Sequence, residues 1–240
     1  MPAIEAILAE TTHRPYSMPT HRWAYYQEWN NVLFLHWKVP VELLRQFVPK
    51  QLNIDTIDGA AYISIVPFTM QSIRPRTLPA LTFISDFHEI NVRTYIDNDN
   101  KKGVYFLNIE AEKILSVYVA KFLSGLPYEK AAIKRTTNTY HSINTHKGFK
   151  LNTSFNVQAA INNKSSIDTW LTERYCLYLD NGSDMYRYDI HHKPWELKQV
   201  AINQLDVQYK FLPNSFSNNS PDLQHYSDGV QVLAWDKVQL

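Results

Sequence analysis

From Asn31 to Trp235 the chain is a succession of short runs of branched and aromatic residues cut by short polar turns. That rhythm limits the fold more than any other feature. Such runs suit half-buried strands, and turns too short to hold a crossover helix force neighbouring strands to run antiparallel. Val32–Val39 is the first run. Pro40 then opens a short helix through Leu43, Leu44 and Phe47, which Pro49 closes. Leu52–Thr56 and Ala60–Val66 flank Asp58-Gly59, a pair suited to a two-residue hairpin turn. Thr69–Ile73 and Thr82–Ile96 read as strands on either side of the proline-rich loop Arg74–Pro79. Asp97–Gly103 is a polar turn and Val104–Ala111 its return strand. Further runs are Ile133–Ile143, Phe149–Ala160, Tyr175–Leu179 and Met185–Ile190, the last two joined by Asn181-Gly182. Strand resumes after Leu197, yields to a polar loop at Asn214–Asp222 and closes with Val230–Trp235.

Helical signals are few. Ile114, Val117, Tyr118, Lys121 and Phe122 share a helical face, with Gly125 at the C′ position and Pro127 beyond it. Ser166–Thr172 reads as a short helix with a serine cap. Ile4, Ile7 and Leu8 line a short N-terminal helix that Pro15 and Pro19 end. The sum is an α+β protein, predominantly antiparallel β, built on a curved or barrel-like sheet with a few short peripheral helices. Residues 1–28 form an N-terminal extension, and nothing in 29–240 resembles a linker, so one domain is expected there.

Composition then removes function classes. The 6 glycines lie far apart, which leaves no Gly-rich phosphate loop of either the dinucleotide or the P-loop kind. Lys plus Arg number 24 against 23 acidic residues, so the basic excess of a nucleic-acid binder and the polybasic anchor of a membrane-surface protein are both missing. Cys176 stands alone, which excludes an internal disulfide and a cysteine-based zinc site, and it reads as a buried apolar residue. No apolar stretch is long enough to span a bilayer and no signal peptide is visible, so a cytoplasmic location is expected. His88-Glu89 begins a zincin-like pattern, but position 92 is Val; His141 and His146, or His191-His192, lack a carboxylate at ligand spacing. No metal and no cofactor are expected.

The densest chemistry lies on Phe87–Ile96. Alternation puts Glu89, Asn91, Arg93 and Tyr95 on one face, and His88, Ile90, Val92, Thr94 and Ile96 on the other. The second face suits a core. The first is polar for a central strand: it either lines a solvated cavity or faces solvent with an exposed Glu–Arg pair. In a cavity, Arg93 can hold a carboxylate in a bidentate fork and a partly buried Glu89 can serve as general acid or base. Arg74 and Arg76, around Pro75, either guard the pocket mouth or are solvated. Glu173-Arg174 either adds a second charged pair to the cavity or ties helix to sheet. His192–Trp195 reads as a structured loop with Trp195 packed on the sheet.

These residues also carry a resemblance. Leu43-Leu44, Val48-Pro49, Asp55-Thr56, Asp58-Gly59 and Tyr62, then Val66-Pro67-Phe68 and the block from Glu89 to Tyr95, are similar to the YqjF-like bacterial family. Gly103-Val104-Tyr105-Phe106, Leu126-Pro127-Tyr128, Leu171–Tyr175 and His192–Trp195 extend the similarity over about residues 28–235. The family resembles acetoacetate decarboxylase in fold. This implies a highly curved antiparallel sheet closing into a cone-shaped barrel around a central cavity, with Glu89 and Arg93 facing inward. The decarboxylase forms a Schiff base on a lysine whose pKa a neighbouring cation lowers. Its lysine pair follows a Gly-x-Pro step. Here Gly125-Leu126-Pro127 is followed by Tyr128-Glu129, and Lys130 is displaced beside an anion that favours its charged form. No acetoacetate decarboxylation is therefore expected. Tyr128 either replaces the lysine as a hydrogen-bond donor or acid, or fills its space.

Three functions stand at this point. One is acid–base chemistry on a small carboxylate or carbonyl compound, with Glu89 and Tyr128 as the catalytic pair and Arg93, Asn91, Tyr95, Arg74 and Arg174 binding the ligand. The second is non-catalytic binding of a small molecule in the same cavity. The third is a structural or interaction module. A homo-oligomer is compatible with all three, because antiparallel sheet edges invite pairing.

Overall fold

The computed structural model describes residues 2–113, 126–182, 184–212 and 220–240. The helix expected over 114–122 with its Gly125 terminus, and most of the polar loop from Asn214, lie outside the described residues. The described chain is built on one 13-stranded sheet. In chain order its strands are β1 (Tyr25–Val39), β2 (Ala61–Pro75), β3 (Phe87–Asn98), β4 (Lys101–Ala111), β5 (Tyr128–Lys130), β6 (Ala132–Arg135), β7 (Thr139–Asn144) and β8 (Phe149–Ala160). β9 (Cys176–Asp180), β10 (Met185–His191), β11 (Lys198–Gln208), β12 (Leu223–Ala234) and β13 (Val238–Gln239) complete it. Short helices α1 (Pro2–Ala9), α2 (Val41–Leu44), α3 (Thr82–Ser85) and α4 (Ser166–Thr172) lie around it. Pairing is antiparallel except where β4 meets β5 and β9.

The sheet order runs β13-β10-β9-β4-β3-β2-β1-β12-β11-β8-β7-β6. β12 also pairs with β10, at Ile190↔Ala234 and His191↔Leu233. That short contact joins the two ends of the arm β10-β9-β4-β3-β2-β1-β12, so this arm curls on itself. The joint is two residues long at one corner, and the result is a strongly curved sheet and not a clean barrel. The other arm, β11-β8-β7-β6, folds back over the outer face of β1–β3, where the Tyr140 hydroxyl donates to the Phe68 carbonyl.

Alternation along β3 explains both layers. Ile90, Val92 and Ile96 enter the core between the arms with Leu33, Leu35, Ile63, Ile65, Leu151 and Phe155. Each such side chain, fully buried, contributes about 1.5–3 kcal/mol. Phe87, Glu89, Asn91, Arg93 and Tyr95 point the other way, into the curl. β2 and β1 present Phe68, Val66, Phe34 and Val32 to the same interior.

Several expected boundaries move, for visible reasons. β1 begins at Tyr25, inside the N-terminal extension, and α1 packs Ile7 against Trp23, Tyr26 and Trp235. Thr69–Ile73 is no separate strand: β2 runs unbroken through Pro67. Proline cannot donate to a ladder. Its missing N–H falls where the β1–β2 register is interrupted, between Asn30↔Thr69 and Leu35↔Ile65. Asp58-Gly59 does turn the chain, with φ of 51° and 75°, and Ile57 bridges Ala60. Leu52–Thr56 is nevertheless not a strand, because both edges of β2 are already taken by β1 and β3. Thr82–Ser85 is a single helical turn, so β3 starts only at Phe87. Ile133–Ile143 divides into the hairpin β6–β7.

Two local expectations hold closely. Ser165 caps α4 and Asp168 reaches back to its N–H, a complete capping box. Cys176 is buried, pressed against Gly103, where a Cβ would lie 2.5 Å from the Cys176 carbonyl oxygen. Glycine is thus required where β4 passes β9. No helix among the described residues is long and apolar enough to cross a membrane.

Candidate functional site

The curl encloses a cavity of about 300 Å³, lined from β1, β2, β3, β4, β5, β9, β10 and β12. Its walls are mostly apolar, with Trp29, Phe68, Phe87 and Phe106 the principal rings. Its polar lining includes Glu89, Asn91 and Tyr128, with Gln27, Tyr25, Tyr188 and Arg74. A second, narrow pocket of about 30 Å³ adjoins it and is lined by Arg93, Arg174, Thr172 and His192, among others. Asn91, Trp29, Phe68, Phe106, Leu177 and Ile190 border both spaces, so the narrow pocket is the inner end of the large one.

Glu89 is the central titratable group. It sits on β3 opposite Phe68 of β2 and Ala111 of β4, in the middle of the sheet, and is 2% exposed. The Tyr128 hydroxyl donates to its Oε2 at 3.2 Å, and the Asn91 side chain hydrogen-bonds it too. Burial pushes the Glu89 carboxyl up to about 8, and these two hydrogen bonds offset only part of that rise. At neutral pH it is therefore mainly protonated. Burial and the adjacent Glu89 hold the Tyr128 phenol well above its ordinary value, so it is a donor, not a phenolate. Pairing of β5 with β4 brings Tyr128 level with Ile109, one strand from Asn91.

Arg93 is buried without a carboxylate partner among the described residues. Its Nη2 donates to the Leu171 carbonyl at a long 3.4 Å, its guanidinium lies 5.7 Å from the Phe34 ring centre, and its Nε has no partner. Arg174 is paired: its Nη1 donates to Asp55 at 2.7 Å and its Nε to the Trp170 carbonyl, while Nη2 is left without a partner. Asn91 Oδ1 is also unpartnered. Two buried donors and one acceptor are thus unsatisfied around the narrow pocket, where orphan polar groups cost about 1–3 kcal/mol each.

The other sequence-predicted residues separate. Tyr95 lines neither space. Its hydroxyl bonds Ser64 at 2.6 Å and the Leu171 carbonyl at 3.0 Å, and the Trp170 ring lies 4.6 Å away, because α4 closes that end of the curl. Arg74 stands at the mouth of the large cavity with Pro75, Leu78 and Leu81, its guanidinium over Tyr26. Arg76 lies outside it, over Trp23. Glu173 does not join Arg174 at the cavity; it ties Lys164 at 2.6 Å, the Tyr175 hydroxyl and the Trp195 N–H. Lys130 is exposed, and Glu129 pairs with Lys147. No lysine is among the described residues lining either space. Among the described residues no three His, Cys, Asp or Glu side chains gather as metal ligands.

Sequence reasoning missed the aromatic wall and a buried chain below it. Ser64 bonds His36 at 2.6 Å, His36 approaches His225 at 3.4 Å, and His225 bonds Asp168 at 2.9 Å. These residues lie on different strands and on α4, so only the register β2–β1–β12 brings them together.

Comparison with known proteins gives a consistent picture. A family model, DUF2071, described as an uncharacterized conserved protein (COG2071), matches residues 26–231. The uncharacterized protein YqjF of Bacillus subtilis (strain 168) is 36% identical over 231 residues, covering 91% of this chain and 93% of its own. Among solved structures, an acetoacetate decarboxylase-like enzyme from Sphingomonas wittichii RW1 superposes with a TM-score of 0.62 at 12% identity, over 92% of this chain and 94% of that one. The enduracididine biosynthesis enzyme MppR complexed with pyruvate superposes with a TM-score of 0.60 at 10% identity, over 93% and 92%. At such identities the structural likeness establishes the fold, which is acetoacetate decarboxylase-like.

Proposed function

This chain belongs to the DUF2071 family, and on that premise we propose that its cavity takes a small carboxylate or carbonyl compound and moves a proton to or from it. The observation that carries the reading is Arg93, a buried guanidinium with no described carboxylate partner, two inward positions along β3 from the Glu89 carboxyl that burial holds near 8. A buried charge that lacks a partner is costly, and a ligand anion is the group that relieves it. Arg93, with Arg174 and Asn91, anchors the anion. Glu89, protonated at neutral pH, gives a proton to an oxygen or carbon in the cavity and takes it back; Tyr128 donates to Glu89 and holds its orientation. Arg74 at the mouth attracts the anion on entry. The fold relative complexed with pyruvate agrees with an acid of this class, at the level of fold analogy.

Acetoacetate decarboxylation is not part of this reading. The Schiff-base step needs a lysine of lowered pKa, and position 128 is tyrosine. That same substitution favours a second reading, a binding protein on the decarboxylase scaffold that holds its ligand unchanged.

A thermal-shift screen of small carboxylates, ketones and aldehydes tests both. A ligand that binds only the folded state raises Tm. The reading expects a shift with the wild type that disappears in Arg93→Ala; a shift of equal size in both proteins contradicts it. For a compound that binds, the enzyme reading expects conversion by the wild type and loss of conversion in a folded Glu89→Gln. Recovery of the compound unchanged after long incubation selects the binding protein instead.

A further inference from the structure

The size and lining of the cavity are at odds with a small acid filling it. Its volume of about 300 Å³ is some ten times the roughly 30 Å³ that one water occupies in the liquid. A three- or four-carbon acid seated at Arg93 leaves most of that space empty, and the space is walled by Trp29, Phe68, Phe87, Phe106, Met70 and Ile109. Apolar pockets of this size are filled by apolar ligand surface, with a few polar groups fixing orientation. Polar groups are a minority of the wall: Gln27 and the phenols of Tyr25, Tyr128 and Tyr188 interrupt it, and Arg74 stands at the mouth. The unpartnered buried donors gather at one end, where Arg93 and Arg174 border a pocket of about 30 Å³, room for one water or for the end of an anionic head. The opposite end is the mouth, where Leu78 and Leu81 line the cavity and are still 57% and 52% exposed.

We propose that the ligand is a carboxylic acid with an apolar tail of about six to ten carbons or an equivalent ring system. Its carboxylate enters first, to Arg93, and its tail lies along the aromatic wall toward the mouth. This inference rests on the carboxylate reading above and adds the tail. The order of groups along the cavity follows from β3 itself. Arg93, Asn91 and Glu89 are successive inward residues, about 6.6 Å apart along the strand. The carboxylate at Arg93 therefore puts the first carbons of the chain beside Asn91, while Glu89 and Tyr128, about 13 Å along the strand from Arg93, meet the outer part of the tail, where a keto or hydroxyl oxygen finds its donor. Along the rest of its length the tail meets mainly apolar side chains.

The test is a homologous series of straight-chain carboxylates from acetate to dodecanoate, below their micelle concentrations, with the matching primary alcohols, titrated calorimetrically into the full-length protein. The proposal expects Kd to fall about threefold to fourfold per added methylene. The fall ends at about eight to ten carbons, where the cavity is full. Ile73→Trp, which narrows the cavity near its mouth and spares the polar end, weakens the long acids about tenfold and leaves propionate unchanged; Met70→Trp serves if that variant does not melt cooperatively. Arg93→Gln brings each acid to the affinity of its alcohol. Acids that bind through Arg93 with no dependence on length overturn the tail and leave the carboxylate reading intact. Alcohols that bind as tightly as acids, with Arg93→Gln indistinguishable from wild type, overturn the carboxylate reading itself.

Discussion

Glu89 and Glu110 are both buried, lie on neighbouring strands one register position apart, and face opposite sides of the same sheet. Glu89 pairs across with Ala111, and Glu110 with Ile90. Burial raises the pKa of each. Their surroundings differ in one respect. Glu110, between the two arms, accepts from Asn144 at 2.9 Å, from the Tyr209 hydroxyl at 2.9 Å and more weakly from Ser142, and it lines neither the large cavity nor the narrow pocket. Glu89 has the single phenol and the Asn91 amide, and opens onto 300 Å³ of mostly apolar space whose inner end holds the Arg93 guanidinium, without a carboxylate partner among the described residues. A shifted carboxyl is therefore no sign of chemistry by itself. Glu110 is a tie that joins β4 to β7 and to the chain just after β11, whereas Glu89 has unspent neighbours and room for a reactant.

The sharpest way to break that contrast is to delete each carboxyl. Glu110→Ala leaves the Asn144 amide and the Tyr209 hydroxyl buried without an acceptor, and is expected to cost about 3–5 kcal/mol. Chemical denaturation measures it; a loss under 1 kcal/mol removes Glu110 from the structural role.

Glu89→Gln is expected to do the opposite at neutral and alkaline pH. The folded pKa, about 8, lies above the ordinary 4.5. The stability that the neutral carboxyl provides is thus complete below pH 4.5 and is lost as pH rises through 8, at about 1.4 kcal/mol per unit. Glutamine carries no such loss. The stability difference between variant and wild type should widen by about 3 kcal/mol from pH 5 to pH 7.5. Urea unfolding at several pH values reads it directly, and parallel curves contradict the assignment.

The smallest effect compares the two phenols. Tyr209→Phe removes one strong donor from a closed network and is expected to cost about 1 kcal/mol. Tyr128→Phe removes a longer bond at a cavity wall, expected to cost less than that, while raising the Glu89 pKa further because the phenol's hydrogen bond lowers it. Equal losses in the two variants erase the distinction.

Much of Glu89's side of this comparison is legible in the sequence. Alternation on Phe87–Ile96 places Glu89, Asn91 and Arg93 on one face, and Asp97–Gly103 marks the turn into β4, which the structure makes at Asp99-Asn100 with φ of 53° and 59°. Tyr128 came only through resemblance, since nothing local marks a tyrosine after a proline as facing a glutamate 39 residues earlier. Glu110 carried no signal. Its partners Asn144 and Tyr209 lie 34 and 99 residues away, and only the fold-back of the second arm brings them to it. The cavity itself is a product of curvature: Trp29, Phe68 and Phe106 read as ordinary strand aromatics until β10 meets β12 and closes the curl. Tyr95 shows the converse. Alternation puts it on the polar face, but α4 covers that end and turns its hydroxyl to Ser64 and Leu171.

The central claim is that Glu89 is a carboxyl held neutral at physiological pH on a cavity wall. Titration of its side-chain carboxyl carbon by 13C NMR, identified by the resonance that vanishes in Glu89→Gln, tests it most directly. The account predicts a midpoint near 8, moving when a carboxylate binds at Arg93. A midpoint near the ordinary 4.5, unmoved by any carboxylate, contradicts it.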